Sequence, residues 1–149
     1  MSSHAKILSG INEIKQMLKR KDENAARVCV LTTGPVIRCD GVNVLYVEVL
    51  NNLENPQTVR ILLFDLGQWP KQVVDHRVKI LNSNCAISEG FEIGPGGLDL
   101  LKFEVQIELL GGVHHGVYIF VAGTLDDGFT LAQSNVFRHE QLSLFTEND

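Results

Sequence analysis

Residues 42–66 read VNVLYVEVLNNLENPQTVRILLFDL. Two runs rich in Val, Ile, Leu and aromatic residues, Val42–Asn51 and Thr58–Leu66, flank the polar cluster Asn51-Asn52-Leu53-Glu54-Asn55-Pro56-Gln57. Such a pattern is a strand, a turn and a strand. Both alternating faces of the ribbon are apolar. In the first run Leu45, Val47 and Val49 oppose Val42, Val44 and Tyr46; in the second Val59, Ile61 and Leu63 oppose Leu62, Phe64 and Leu66. A strand that is half wet needs one apolar face, so this ribbon expects cover on two sides.

The same texture continues in both directions. Val28–Thr33 and Val36–Cys39 precede the ribbon, separated by Gly34-Pro35 and followed by the turn signal Asp40-Gly41. After it come Val73–Leu81, then Cys85–Ile93 interrupted by Gly90, then a tight connection at Gly94-Pro95-Gly96-Gly97. Leu98–Leu109 alternates cleanly, with Leu101, Phe103, Val105, Ile107 and Leu109 on one side and Lys102, Glu104, Gln106 and Glu108 on the other. Val117–Leu125 is nearly all apolar, and its Tyr118, Phe120 and Ala122 make a third surplus face. Asp126-Asp127-Gly128 then turns the chain into a last strand from Phe129 that is expected to run on toward Leu144. About eight short strands with no helix between them specify a mainly β chain. The expected fold is an antiparallel β-sandwich, Ig-like or jelly roll.

Residues 1–25 differ. Ile7, Ile11, Ile14 and Leu18 recur at spacings of four, three and four, which predicts one N-terminal amphipathic α-helix ahead of a sandwich domain over 26–149. That spacing is also the coiled-coil stripe, and it serves equally a helix lying on its own domain. The basic run Lys15–Lys21 is followed at once by Asp22 and Glu23, as on the solvated face of a helix.

With 149 residues and 44% hydrophobic content the chain has material for one self-sufficient core. A net charge of −5 argues against a nucleic-acid backbone binder. Membrane partners are not expected either, because no apolar run approaches the length of a span. Residues 1–20 lack the apolar core of a secretory signal, so the expectation is a chain that is cytoplasmic as synthesised, or surface-assembled by a route the sequence does not show. Cys29, Cys39 and Cys85 form no C-x-x-C pair. They are expected as buried thiols in strands, with a single bridge, within or between subunits, as the alternative.

No motif specifies catalysis, and no cofactor is expected. There is no G-x-S-x-G elbow, and Gly94–Gly97 lacks the Lys-Ser/Thr of a phosphate loop. His114 and His115 would need His76, His139 or Asp126 brought beside them to hold a metal. Asp126-Asp127-Gly128 lacks the alternating ligands of a calcium loop and reads as a hairpin turn. The glutamates select no pair at glycosidase separation. Trp69, in the loop GQWPK, is expected as a core plug beneath that loop. An exposed indole there would instead stack on a sugar or anchor a partner, which makes Trp69 and His114 the candidate ligand contacts.

The segments VEVLNNLENPQTVRILLFDL, FEIGPGGLDLLKFEVQI and VYIFVAGTLDDGFTLAQSNVFRHEQL together resemble small bacterial Ig-like or jelly-roll sandwiches. CARDB-type adhesion modules are similar, as are small proteins of endospore-forming bacteria that end in an R-H-x-x-L-like strand, here Arg138–Leu142. The resemblance implies a structural, adhesive or surface-assembly role with no active site. The expectation is a non-enzymatic, self-associating sandwich subunit. Its contacts would be the stripe Ile7, Ile11, Ile14 and Leu18 and the surplus faces at Val44, Tyr46, Phe64 and Phe120. A carbohydrate-binding module is the alternative, a metal-dependent enzyme a third option, and a protein partner or a glycan the expected company.

Overall fold

A computed structural model describes residues 28–111 and 115–146. The predicted N-terminal helix, its coiled-coil stripe Ile7, Ile11, Ile14 and Leu18, and His114 lie outside the described residues. Ten strands follow in order: β1 (Cys29–Thr32), β2 (Val36–Ile37), β3 (Val44–Asn51), β4 (Gln57–Asp65), β5 (Gln72–Leu81), β6 (Cys85–Glu92), β7 (Lys102–Leu110), β8 (Val117–Thr124), β9 (Leu131–Phe137) and β10 (Ser143–Thr146). They form two antiparallel sheets. The first has the order β10-β1-β7-β4-β5, with β2 also paired to β7; the second has the order β6-β3-β8-β9.

The core is made by the faces that alternation assigns inward. Leu45, Val47 and Val49 of β3 meet Val117, Ile119 and Val121 of β8 in one sheet; Val59, Ile61 and Leu63 of β4 meet Val105, Ile107 and Leu109 of β7 in the other. Val42 corrects the expected pattern. It joins this core instead of the outer face, because the Asp40-Gly41 turn bends the chain inward ahead of β3, with the Val42 N–H bonded to the Cys39 carbonyl.

Four other expectations change. Gly90 does not interrupt β6; it pairs with Tyr46, and a Cβ there would stand 3.3 Å from the tyrosine ring, so the missing side chain makes room for an aromatic neighbour. Leu98–Leu101 is a loop rather than the start of β7. The last strand does not run through to Leu144 either. After Phe137 the chain makes a 3-10 turn at His139–Gln141, in which the Gln141 side chain accepts the Arg138 N–H at 2.8 Å. Leu142 then enters the core and β10 joins the opposite sheet. The Arg138–Leu142 segment is therefore a corner between sheets rather than a strand. The cysteines, finally, are not uniformly buried: all three are free, Cys29 buried, Cys39 half-buried and Cys85 exposed.

Candidate interaction surface

Antiparallel register brings four connections to one end of the sandwich. β3 starts there, with Val44 opposite Glu92 at the end of β6 and Thr124 at the end of β8. β4 ends there, with Asp65 opposite Phe103 near the start of β7, and β2 ends there against Lys102. The loops over residues 38–43, 66–71, 93–101 and 125–130 thus share this end. Seven large apolar side chains on these loops or the adjoining strand ends are exposed: Ile37, Trp69, Val73, Leu98, Leu101, Phe129 and Leu131. Four of them, Trp69, Leu98, Leu101 and Phe129, sit in loops, where pleating does not decide which residues face water.

Trp69 is 97% exposed. It is not the core plug expected from the sequence, because its loop is fastened on both sides of it, away from the core. On the near side the Leu66 N–H bonds the Lys102 carbonyl at 3.0 Å, and Asp65 accepts the Gly67 N–H at 2.8 Å. On the far side the Lys71 ammonium lies 2.7 Å from the Glu104 carboxylate and 4.5 Å from the centroid of the Phe64 ring. Glu104 also accepts hydrogen bonds from Thr32 at 2.6 Å and Gln106 at 3.1 Å. Burial alone would raise its pKa. The bonds from Lys71, Thr32 and Gln106, with the charge of Lys71, outweigh that and hold it below the ordinary glutamate value.

Phe129, 79% exposed, is held in the same manner. Asp127 accepts the backbone N–H groups of Phe129 at 3.0 Å and Thr130 at 2.7 Å, and Gly128 takes the positive φ of +81° that the turn requires. These bonds, led by the one from the Thr130 hydroxyl, lower the Asp127 pKa. The Asp126-Asp127-Gly128 stretch is thus the hairpin turn between β8 and β9 that its sequence predicts.

A third group is tied by Arg38, whose Nη1 donates to the Ile93 carbonyl at 2.6 Å and pairs with Asp99 at 3.3 Å. It locks the 93–101 loop against β2, with the Arg38 N–H on the Leu101 carbonyl at 3.0 Å. Gly97 belongs to this packing, since a Cβ would come within 2.2 Å of the Glu92 carbonyl oxygen.

No protein-family model and no curated protein matches this chain.

The proposed sheet-face contacts fare differently. Phe64 is buried beneath Lys71 rather than offered outward. Val44, Tyr46 and Phe120 are half-buried on the outer face of the second sheet, where Tyr46 is flanked by Gly90 and Ala122 and Phe120 by Glu48. Leu50 and Tyr118 continue that face beside a shallow cleft of about 320 Å³. Tyr118 meets His139 edge-on at 5.7 Å. His139 accepts the Ile119 N–H, Asp126 stands at the opposite end, and His76 pairs with Leu62 on the first sheet. Folding therefore does not assemble these candidate metal ligands, and among the described residues no cluster of three exists. Sequence reasoning missed Ile37, Leu101 and Phe129, whose signal, an apolar residue beside Gly, Pro or Asp in a turn, is weak on its own.

Proposed function

We propose that this protein is a non-enzymatic, self-associating β-sandwich subunit whose contact surface is the apolar loop end. One observation carries the reading: Trp69 stands almost fully in water on a loop pinned by the Lys71–Glu104 pair. Exposed aromatic anchors on ordered turns lose little conformational freedom on binding, and each large side chain covered contributes roughly 1.5–3 kcal/mol. The polar clusters support a structural role, since Glu104 and Glu89 use their carboxylates in ion pairs inside the fold. The sandwich combines the nested pairing of a jelly roll, β1 with β10, β3 with β8 and β4 with β7, with the within-sheet hairpins β4–β5 and β8–β9 of an Ig-like arrangement. It also suits the resemblance to small surface-assembly proteins.

Sedimentation of the full chain over a wide concentration range tests this. Wild type is expected to associate, and the double variant Trp69→Ser/Phe129→Ser to stay monomeric. A wild-type chain that is monomeric throughout refutes the reading. The exposed indole also suits a glycan-binding module. That second reading requires saturable quenching of Trp69 fluorescence by an oligosaccharide in a chain that stays monomeric.

A further inference from the structure

We propose that the loop end receives the N-terminal segment of a second copy, so that copies join head to tail. This rests on the self-association reading above and names the occupant. Three observations support it.

The first is charge. Residues 1–27 hold six basic side chains, Lys6, Lys15, Lys19, Arg20, Lys21 and Arg27, against three acidic ones, Glu13, Asp22 and Glu23. The remainder of the chain is therefore more acidic than the overall net charge of −5. The loop end concentrates that acidity: Asp40, Glu92, Asp99, Asp126 and Asp127 are exposed around the apolar side chains. Arg38 is paired with Asp99 and Lys71 with Glu104, so the exposed Lys102 is left to offset the other four acids. An apolar surface with an acidic rim fits a basic amphipathic segment.

The second is apolar matching. Ile7, Ile11, Ile14 and Leu18 at helical spacing make a narrow stripe, with Lys15 and Lys19 beside it. An amphipathic segment presents such anchors to an apolar surface, and Trp69, Leu101 and Phe129 are exposed at the loop end.

The third is geometry. The described chain enters the sandwich at the end opposite the loops, since Cys29 is paired with Leu109 near the end of β7. The nine residues of β7, Lys102–Leu110, set the sandwich length at about 30 Å. Residues 19–27, between the stripe and the first described residue, span about 30 Å only when fully stretched. Seating the stripe of one copy on its own loop end would therefore require this linker at full extension, whereas a neighbour's loop end imposes no such stretching. The contact joins two different surfaces, so it builds rings or open chains rather than a two-fold dimer.

The test uses full-length protein and the emission of its single tryptophan. Raising the wild-type concentration should increase the weight-average mass and shift Trp69 emission to the blue, and added salt should reverse both. Two variants should each abolish the assembly: Ile11→Asp/Ile14→Asp in the segment and Trp69→Ser/Phe129→Ser in the loop end. Trp69 and Phe129 lie outside the sandwich core. Mixed together, these two variants retain one intact segment and one intact loop end, and they should form a one-to-one pair and nothing larger. Two outcomes overturn the proposal. If the segment variant associates as well as wild type, the occupant is wrong while self-association stands. If the mixture stays monomeric, the contact is not heterologous. A wild-type chain that never associates removes the underlying reading itself.

Discussion

The guanidinium of Arg77 lies 3.9 Å from the centroid of the Phe91 ring, across the open side between the two sheets. Arg77 is on β5 and Phe91 on β6, edge strands of different sheets. Both face inward, Arg77 opposite Ile61 and Phe91 opposite Leu45. The arginine continues to Glu89 at 3.1 Å and Asp75 at 3.1 Å, and Lys79 adds a second bond to Glu89 at 3.0 Å. An inward-pointing charge on an edge strand discourages pairing with another chain, and here it also closes the core.

Arg77→Ala is therefore expected to destabilise the fold by about 1–2 kcal/mol, combining the lost cation–π contact with a weakened Glu89. Arg77→Lys keeps the charge, loses the flat stack, and should recover only part. A double-mutant cycle with Phe91→Leu in urea unfolding should give a coupling of about 0.5–2 kcal/mol. Strict additivity would mean the stack contributes nothing.

Glu104 makes stability depend on pH, and its depressed pKa fixes the sign. Its contribution is fully present above the value a glutamate has in the unfolded chain, about 4.3. The contribution disappears as pH falls through the lower folded value. Glu104→Gln should cost about 1–3 kcal/mol at neutral pH, through loss of charge-assisted bonds to Lys71 and Thr32. The wild-type and variant curves should converge in acid. A gap that stays constant into strong acid would show that the ionised carboxylate is not what matters. The same variant loosens the far anchor of the Trp69 loop, so tryptophan anisotropy should fall.

Alternation carried most of the architecture. The inward residues of β3, β4, β7 and β8 were legible because period two with branched side chains has one reading on a pleated sheet. The corner at Arg138–Leu142 was not. It depends on a Gln141 side chain that caps its own backbone and on a buried site for Leu142, and neither leaves a periodic trace. The surplus faces were legible as apolar but not as to their cover, since cross-strand neighbours such as Gly90 beside Tyr46 are set by register. The candidate surface was visible only at Trp69. Its other members come from segments far apart in sequence that one end of the sandwich collects.

Two buried asparagines show another thing that pattern misses. Asn135 accepts the Cys39 N–H at 2.9 Å and donates to the Ile37 carbonyl at 3.0 Å, stitching β9 to the end of β2 across the sheets. Asn51 donates to the Leu81 and Asn55 carbonyls, both at 3.0 Å, and accepts the Leu53 N–H at 2.9 Å. Each replacement by alanine strands backbone groups away from water, at about 2–4 kcal/mol. Asn135→Ala should also release Ile37 and weaken association through the loop end, whereas Asn51→Ala, at the other end, should cost stability with association intact. Equal losses of association in the two variants would place the contact elsewhere.

The cysteines differ in surroundings enough to be ordered by reactivity. Cys85 is exposed at the start of β6, Cys39 is half-buried with its sulfur against the Ser134 hydroxyl, and Cys29 is buried, where loss of solvation pushes its pKa up. Attack by a thiol reagent requires both the thiolate and access. Cys85 should therefore label first and Cys39 more slowly. Cys29 should label at the rate of global unfolding, with a urea dependence matching that transition. Mass spectrometry of peptides after timed alkylation reads the order directly. Early modification of Cys29 in native buffer would mean that β1, between β10 and β7, opens without the rest of the sandwich.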